Sequence, residues 1–543
     1  MNTATASRPT AAPGASPSSH PHMNRRPSMA SIVLFLGLLA IGLAYAAWSL
    51  VHDMGDTGVS TTTYVSFILL GVALLIALGF EFVNGFHDTA NAVATVIYTH
   101  SLPPGIAVVW SGLFNFLGVL FSSGVVAFGI ISLLPVELIL QVGSGSGFAM
   151  VFALLLAAII WNLGTWWLGL PASSSHTLVG SIIGVGVANA LMHGRDGTSG
   201  VDWGQAASVG KALLVSPIVG FICAALLLLA IKALVKNRAL YEEPKGDAPP
   251  PLWIRALLIF TCTGVSFAHG SNDGQKGMGL IMLILVGTVP LTYALNHAMP
   301  ESHTPQFVTI AKATQTQLSK EQPQVTLPSA QAARKTIAEY LRVKAETPAL
   351  IPALASLSHD ISEQVETHGS LANVPATSVS NVRNDMYLAS EAIRLIEKNG
   401  SLTLSEDTQE QLHAFKGELD QATKFIPLWV KVSVAIALGL GTMVGWKRIV
   451  VTVGEKIGKT HLTYAQGASA ELVAMATIGA ADVYGLPVST THVLSSGVAG
   501  TMAANRSGLQ MSTLRNLLLA WVLTLPAAML LSGSLYWVFS HIF

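Results

Sequence analysis

The chain has 543 residues, of which 51% are hydrophobic and only 11% are charged, and its mean hydropathy is +0.56. Soluble domains average about 25% charged residues, so this composition is typical of a protein that crosses the lipid bilayer many times. The formal net charge is zero, which argues against a nucleic-acid partner because such proteins carry a basic surface.

The N-terminal region predicts a polar tail followed by a membrane helix. Residues 1–28 are rich in Pro, Ser, Ala and Thr, and we expect them to be disordered. The apolar stretch at about 30–50 is long enough to span a bilayer and has no convincing cleavage site. We interpret it as a first transmembrane helix with a cytoplasmic N-terminus.

Two similar polar segments interrupt the apolar runs: GFEFVNGFHDTANAVAT at 79–95 and VSFAHGSNDGQKGMG at 265–279. An ionised carboxylate at membrane depth costs several kcal/mol, so an aspartate there indicates function. Carboxylate and amide oxygens bind cations, and a buried carboxylate also carries a proton. The residues that we assign to cation or proton coupling in these segments are Asp88, Asn91, Asn272 and Asp273.

A second pair of motifs is rich in hydroxyl groups: PASSSH at 171–176 and PVSTTH at 487–492. Proline favours the first turn of a helix and Ser or Thr caps it, so each motif predicts the start of a half-helix that can bind an anion. The alternative is that these side chains only satisfy backbone groups at helix breaks. The candidate substrate-binding residues are Ser173, Ser174, Ser175, Ser489, Thr490 and Thr491.

Other ionisable residues lie near the motifs. Lys276 follows Asp273 by three residues, as Asn91 follows Asp88 in the first polar segment. Its ammonium can neutralise Asp273 or attract the anion. The alternative is that Lys276 lies near a helix end and its side chain snorkels towards water. Glu471 is a further candidate for cation or proton coupling, with an ordinary pairing role as the alternative.

Histidines flank all four motifs, at His87, His176, His269 and His492. No HExxH motif is present and no two of these residues are spaced to chelate from one helical turn, so we predict no resident metal and hydrogen-bonded structural histidines. A proton relay is the alternative. The sequence also lacks a GxSxG nucleophile elbow, and an enzyme is therefore not favoured.

The spacing of the motifs indicates an internal repeat. From Asp88 to Pro171 the chain covers 83 residues, and from Asp273 to Pro487 it covers 214. The difference of 131 is close to the length of a polar stretch at 298–426, whose helical periodicity predicts a small soluble insert. Without the insert, both halves carry the two motifs at the same spacing, which is typical of transporters.

The chain thus divides into four parts. They are a disordered tail at 1–28, the first transmembrane helix with the first repeat and the start of the second at 29–297, the helical insert at 298–426, and the rest of the second repeat at 427–543. We expect about 10–12 transmembrane segments. Short apolar runs beside the motifs predict half-helices or re-entrant pieces, near 89–98, 176–192, 464–482 and 492–504. The basic connections predict the cytoplasmic side, at 232–255 and 447–459.

These motifs resemble those of the Pit family of inorganic phosphate transporters, and most closely its bacterial low-affinity permeases. The resemblance extends from about residue 69 to the C-terminus and rests on NGFHDTANAVATVIYT, GLPASSSHTLVGSIIG, AHGSNDGQKG, GWKRIVVTVGEKIGKTHLTYAQG and PVSTTHVLSSGVAG. The first half keeps the family's doubled GANDxANA pattern at Asp88, Ala90, Asn91 and Ala92. The second half departs from it at Gln275, Lys276 and Gly277.

The resemblance implies an all-α polytopic protein of the bacterial inner membrane, built from two inverted repeats. It implies a secondary symporter that takes up inorganic phosphate with protons, as a neutral complex with Mg²⁺ or another divalent metal and without a resident cofactor. The departure at Lys276 argues against sodium coupling. A sodium-coupled phosphate carrier, a carrier of another tetrahedral oxyanion such as sulfate, and a passive channel are the alternatives, and a homo-oligomer is left open.

Overall fold

The computed structural model describes residues 21, 23, 27–56, 64–134, 139, 145–244, 246, 248–400, 402 and 404–542. The predicted disordered tail lies almost entirely outside these residues. Helices account for the regular structure, and no strand occurs in the described part of the chain. This confirms the predicted all-α class.

The helices before the insert are Met29–Asp56 (α1), Tyr64–Tyr98 (α2), Pro104–Phe121 (α3), Val125–Ile131 (α4), Gly145–Trp167 (α5), Ser174–Met192 (α6), Trp203–Leu234 (α7), Leu252–Thr288 (α8) and Pro290–Tyr293 (α9). The insert contains Thr304–Glu321 (α10), Ala330–Val343 (α11), Leu350–His368 (α12), Val379–Asn399 (α13) and Glu406–Thr423 (α14). The chain then forms Leu428–Gly441 (α15), Lys447–Val451 (α16), Tyr464–Val483 (α17), Thr490–Ala504 (α18) and Met511–Phe539 (α19).

Eight of the described helices are long and apolar enough to cross a membrane, or nine if the bent pair α14–α15 is one span. This is fewer than the 10–12 segments expected. The difference arises because both aspartate segments lie inside continuous helices: α2 runs through the first and α8 through the second. The expected half-helix at 89–98 is therefore wrong. A helix satisfies its own backbone, so polar side chains need not break it where neighbouring elements cover them.

The two hydroxyl motifs do begin short helices, as predicted. Helix α6 starts at Ser174 and α18 starts at Thr490. Each short helix packs mainly against a long helix of the other half: α6 against α19, and α18 against α7. The two halves are therefore interlocked, and the starts of both short helices are buried in the protein.

Matched glycines allow the aspartate-bearing helices to approach their neighbours closely. A Cβ at Gly85 of α2 would collide with the Leu438 carbonyl of α15, and a Cβ at Gly270 of α8 would collide with the Asn115 carbonyl of α3. Helices α3 and α15 also pack against each other. The two copies of the first motif are thus held by equivalent backbone contacts.

The insert forms a helical unit with its own apolar core, which includes Phe307, Ile337, Ile393 and Phe415. It contacts the end of the membrane bundle at which α7 begins, where Lys344 Nζ donates to Asp202 Oδ1 over 2.6 Å. Helix α7 leads from this end to the basic connection at 232–255, which includes its last turn and the start of α8, and α8 returns from there. The insert and the basic connections therefore lie at opposite ends of the bundle.

The close approach at Gly85 predicts a position-specific cost. Gly85→Ala should destabilise the protein by about 1–3 kcal/mol because the new methyl group overpacks the contact with α15. Gly79→Ala, in the same helix, is the matched control because a Cβ at Gly79 meets open space; it should be neutral or stabilising by up to about 1 kcal/mol. The measurement is the thermal unfolding midpoint in detergent. Equal midpoints for the two variants would contradict the packing.

Candidate substrate and coupling site

Helices α2 and α8 run antiparallel and share a line of polar side chains, which we call the polar seam. Its members recur every three or four residues along each helix and so lie on one face of it. All of them are buried. They are Glu81, Asn84 and Asp88 on α2, and His269, Asp273 and Lys276 on α8.

The aspartates of the two copies meet in the middle of the seam. Ligand atoms of Asp88, His269 and Asp273 lie within 4.8 Å of one another. Lys276 Nζ donates to Asp273 Oδ1 over 2.5 Å, and His269 Nε2 lies 3.5 Å from Asp273 Oδ2. Asp88 Oδ1 lies 2.9 Å from His87 Nδ1. The structure therefore brings the two predicted carboxylates into one cluster.

This cluster has the donor atoms of a cation site, but it also contains its own cation. The Lys276 ammonium is fully buried and already compensates the Asp273 carboxylate. Adding a tightly held metal ion beside an ammonium would place like charges together in a medium of low dielectric constant. The donor set therefore suits a proton or a transported cation better than a resident metal.

The three hydroxyl residues of each motif have matching roles. The first residue caps its helix: Ser173 Oγ accepts from His176 N over 3.2 Å, and Ser489 Oγ accepts from His492 N over 3.1 Å. The second residue, Ser174 or Thr490, is buried and its hydroxyl has no hydrogen-bond partner among the described residues. A buried polar group without a partner is uncommon and points to a ligand.

The third residue of each motif crosses to the other half of the molecule. Thr491 Oγ1 donates to Asp88 Oδ1 over 2.6 Å. Ser175 Oγ accepts from Lys276 Nζ over 2.5 Å and donates to the Val488 carbonyl over 2.8 Å. The half-helix of each repeat is thus hydrogen-bonded to a residue of the polar seam that belongs to the other repeat.

The remaining predicted residues lie in different places. Asn272 is hydrogen-bonded to the backbone of the segment that precedes α18: its amide donates to the Leu486 carbonyl over 3.1 Å and accepts from Val488 N over 3.5 Å. Glu471 lies away from the cluster: it accepts from Thr261, which is 12 residues from Asp273 and hence about 18 Å along α8. The side chain of Asn91 lies outside the described residues.

Sequence reasoning missed two amides at the site. Asn115 Oδ1 accepts a hydrogen bond from His269 Nδ1 over 2.8 Å, since an amide oxygen can only accept and Nδ1 must therefore carry the proton. Asn84 belongs to the polar seam, and none of its side-chain atoms has a partner among the described residues. Each is a single amide side chain within an apolar run, and this pattern could have identified it in the sequence. Burying an amide in a membrane helix costs free energy unless the amide has a hydrogen-bond partner.

Two of the four histidines, His87 and His269, form hydrogen bonds to neighbouring side chains, as predicted. His87 lies between Asp88 and Thr165, with His87 Nε2 3.1 Å from Thr165 Oγ1. His269 bonds to Asn115. The other two pair with each other, since the His176 and His492 rings have centroids 4.7 Å apart.

Comparisons with known proteins identify the family of the chain. The model of the phosphate transporter family matches residues 84–532. The chain belongs to the phosphate transporter family. Two relatives from Escherichia coli are named low-affinity inorganic phosphate transporters: PitA is 44% identical over 489 residues, and PitB is 41% identical over 506 residues. Each comparison covers 87% of this chain and 96% of the relative.

A solved structure described as the sodium-dependent phosphate transporter is also similar. It has a TM-score of 0.48 and 20% sequence identity, and the match covers 88% of this chain and 100% of that one. Family membership establishes a transport protein rather than an enzyme. The bacterial relatives and the eight apolar helices together identify a multi-pass protein of the inner membrane.

The second hydroxyl of each motif makes a prediction for this family member. Ser174→Ala or Thr490→Ala should raise the KM for phosphate about tenfold, because a hydrogen bond to a charged ligand contributes roughly 1.5–3 kcal/mol. The thermal midpoint should hardly change, since the hydroxyl has no partner to lose within the described residues. Ser173→Ala is the control: it removes a cap and should cost about 1 kcal/mol of stability. An unchanged KM in both variants would count against an anion site.

Proposed function

We propose that this member of the phosphate transporter family is a secondary active symporter that takes up inorganic phosphate together with protons. The observation that carries the proposal is the position of Lys276, whose ammonium lies 2.5 Å from both Ser175 Oγ and Asp273 Oδ1. One cation thus links the hydroxyl-rich start of a half-helix to Asp273, one of the two coupling carboxylates. The relatives are named phosphate transporters, which supports phosphate as the anion.

Phosphate binds, in this proposal, at the starts of α6 and α18. Backbone N–H groups and the positive end of the helix dipole favour an anion there. Ser174 and Thr490 supply hydroxyls that are free to donate, and Lys276 supplies positive charge. A tetrahedral oxyanion has enough oxygens to accept from both half-helices at once.

Coupling resides in Asp88 and Asp273. When phosphate approaches Lys276, Asp273 loses part of its compensating charge, and the binding of a proton restores it. The two ligands therefore bind with positive cooperativity, which is what symport requires. A divalent metal carried as a neutral metal-phosphate complex fits the same site, since carboxylate oxygens are hard ligands for Mg²⁺.

Alternating access follows from the interlocked packing. We propose that the two repeats are inverted and rock against each other around the polar seam; the antiparallel α2 and α8 and the crossed half-helices support this. A sodium-coupled carrier is the second candidate. The ligand atoms of Asp88, His269 and Asp273 within 4.8 Å of one another favour it.

The decisive experiment is uptake of radiolabelled phosphate by proteoliposomes under imposed gradients. An inside-alkaline difference of about one pH unit should drive about tenfold accumulation for each coupled proton. Magnesium should increase the rate, and an inward sodium gradient at constant pH should not drive accumulation. Accumulation driven by sodium alone would establish the alternative, and inhibition by excess unlabelled sulfate would indicate a less selective oxyanion carrier.

The coupling carboxylates yield a separate prediction. Asp88→Asn or Asp273→Asn should abolish gradient-driven accumulation and lower the initial rate of phosphate uptake at least about a hundredfold, because the loss of a buried charge-assisted contact costs roughly 3 kcal/mol or more. Membrane insertion should remain normal, as judged by the amount of protein in purified membranes. Glu301→Gln, in the insert, is a control that should transport like the wild type. Wild-type accumulation in either aspartate variant would rule out its coupling role.

A further inference from the structure

The two ends of the polar seam face different sides of the membrane. The basic connections at 232–255 and 447–459 lie at one end of the bundle, and the insert lies at the other. By the positive-inside rule, the end with the basic connections faces the cytoplasm. Helix α2 begins at the insert end, where α1 finishes: Asp53 near the end of α1 accepts from Tyr293, directly before the insert, over 2.9 Å. Residues early in α2 therefore lie towards the periplasm.

Glu81 occupies the periplasmic end of the seam. It precedes Asp88 by seven residues, or about 10 Å along the helix. Its side chain is fully buried, and the carboxyl group packs directly against Gly277 of α8. The Asn84 amide and the Gly277 backbone lie close by. Neither carboxyl oxygen makes a hydrogen bond of normal geometry to any described residue.

Among the described residues around Glu81, no positive charge is unpaired. The charged groups that face it are Asp273 and Lys276 of α8, and these two are already paired with each other. Helices α3, α4 and α5 carry no ionisable side chain. Helix α15 carries only Lys431, which donates to the Ser122 carbonyl over 2.9 Å. An ionised carboxylate without a partner costs several kcal/mol here, so the neutral, protonated carboxyl is the stable form in this conformation.

We propose that Glu81 is the proton-loading residue of the transporter: it takes a proton from the periplasmic side and releases it after the site turns to the cytoplasm. The inference rests on the proposed proton-coupled phosphate uptake and names the residue that carries the proton. In the step itself, a hydronium ion on the periplasmic side gives up a proton to the Glu81 carboxylate and is left as water. The O–H bond breaks again on the cytoplasmic side, where the proton returns to water and the carboxylate remains.

The position of Glu81 next to the Lys276–Asp273 pair couples this proton to the substrate. A phosphate anion at Lys276 adds negative charge near Glu81 and therefore favours its protonated form. By linkage, a protonated Glu81 raises the affinity for phosphate by the same factor. Phosphate and proton are then loaded together from outside and released together inside.

The test compares two transport modes of the full-length protein in proteoliposomes. Phosphate counterflow, the exchange of labelled for unlabelled phosphate without a net gradient, requires binding and alternating access but no net proton movement. Accumulation driven by an inside-alkaline gradient requires the proton. Glu81→Gln, which resembles a permanently protonated side chain, should keep counterflow within about twofold of the wild type and lose nearly all of the roughly tenfold gradient-driven accumulation.

Two further variants are the controls. Asp53→Asn removes another membrane carboxylate, which already accepts from Tyr293 and Trp429, and it should keep both transport modes. Glu81→Asp keeps an ionisable group and should keep accumulation while the pH profile of its counterflow shifts. If Glu81→Gln is not monodisperse after purification, the pH profile of counterflow by Glu81→Asp becomes the test. A shifted profile supports the proposal, and a profile equal to that of the wild type overturns it.

The outcomes separate this inference from the proposed function. Gradient-driven accumulation in Glu81→Gln equal to that of the wild type overturns the role of Glu81 and leaves proton coupling intact. Loss of counterflow together with accumulation in well-folded Glu81→Gln assigns the residue to substrate binding and also overturns the proposal. If the pH gradient does not drive phosphate accumulation by the wild-type protein, uptake is not coupled to protons. Both the proposed function and the role of Glu81 are then overturned.

Discussion

The structure depends on polar contacts that cross between its two halves. Asp88 of the first copy accepts from Thr491 of the second, and Lys276 of the second donates to Ser175 of the first. Buried charges are costly unless they are paired, and neither half supplies all the partners that its own charged groups use. The polar centre is therefore stable only when both halves are assembled around it. That requirement explains why each half-helix packs against a long helix of the opposite half.

The crossing also explains how the aspartate-bearing helices remain continuous. Because hydroxyl groups from the other half cover the polar segment, α2 and α8 keep their helical hydrogen bonds through it, and α6 and α18 begin beside it. Close approach is needed for this, and Gly85 and Gly270 provide it at matched positions. A movement that exchanges the crossed contacts must displace both half-helices together. A carrier needs such a joint movement between two discrete conformations in order to expose one site to the two sides of the membrane in turn.

Local rules identified much of this from the sequence. The proline and hydroxyl runs marked the starts of α6 and α18, because capping is encoded within four residues. The equal spacing of the motifs predicted a duplication and an insert. Local rules could not show that α2 and α8 pass unbroken through their polar segments, since that depends on side chains brought from the other half. For the same reason Glu471, which resembles the seam carboxylates in sequence, proved to lie away from them beside Thr261.

The asymmetry of the seam is its most informative property, because a symmetric scaffold alone has no preferred direction. Position 266 of α8 matches Glu81 by its distance from the aspartate, but it is a serine bonded to Ser111 over 2.8 Å. Lys276 in turn has no counterpart of like charge in α2. Since the helices are antiparallel, the extra carboxyl of one copy and the ammonium of the other fall at the same end of the seam. In the proposed uptake mechanism, the proton carrier and the anion-attracting charge both lie on the side from which the substrate enters. In this proposal, two side chains that lack a counterpart in the other half, Glu81 and Lys276, give the two halves an orientation.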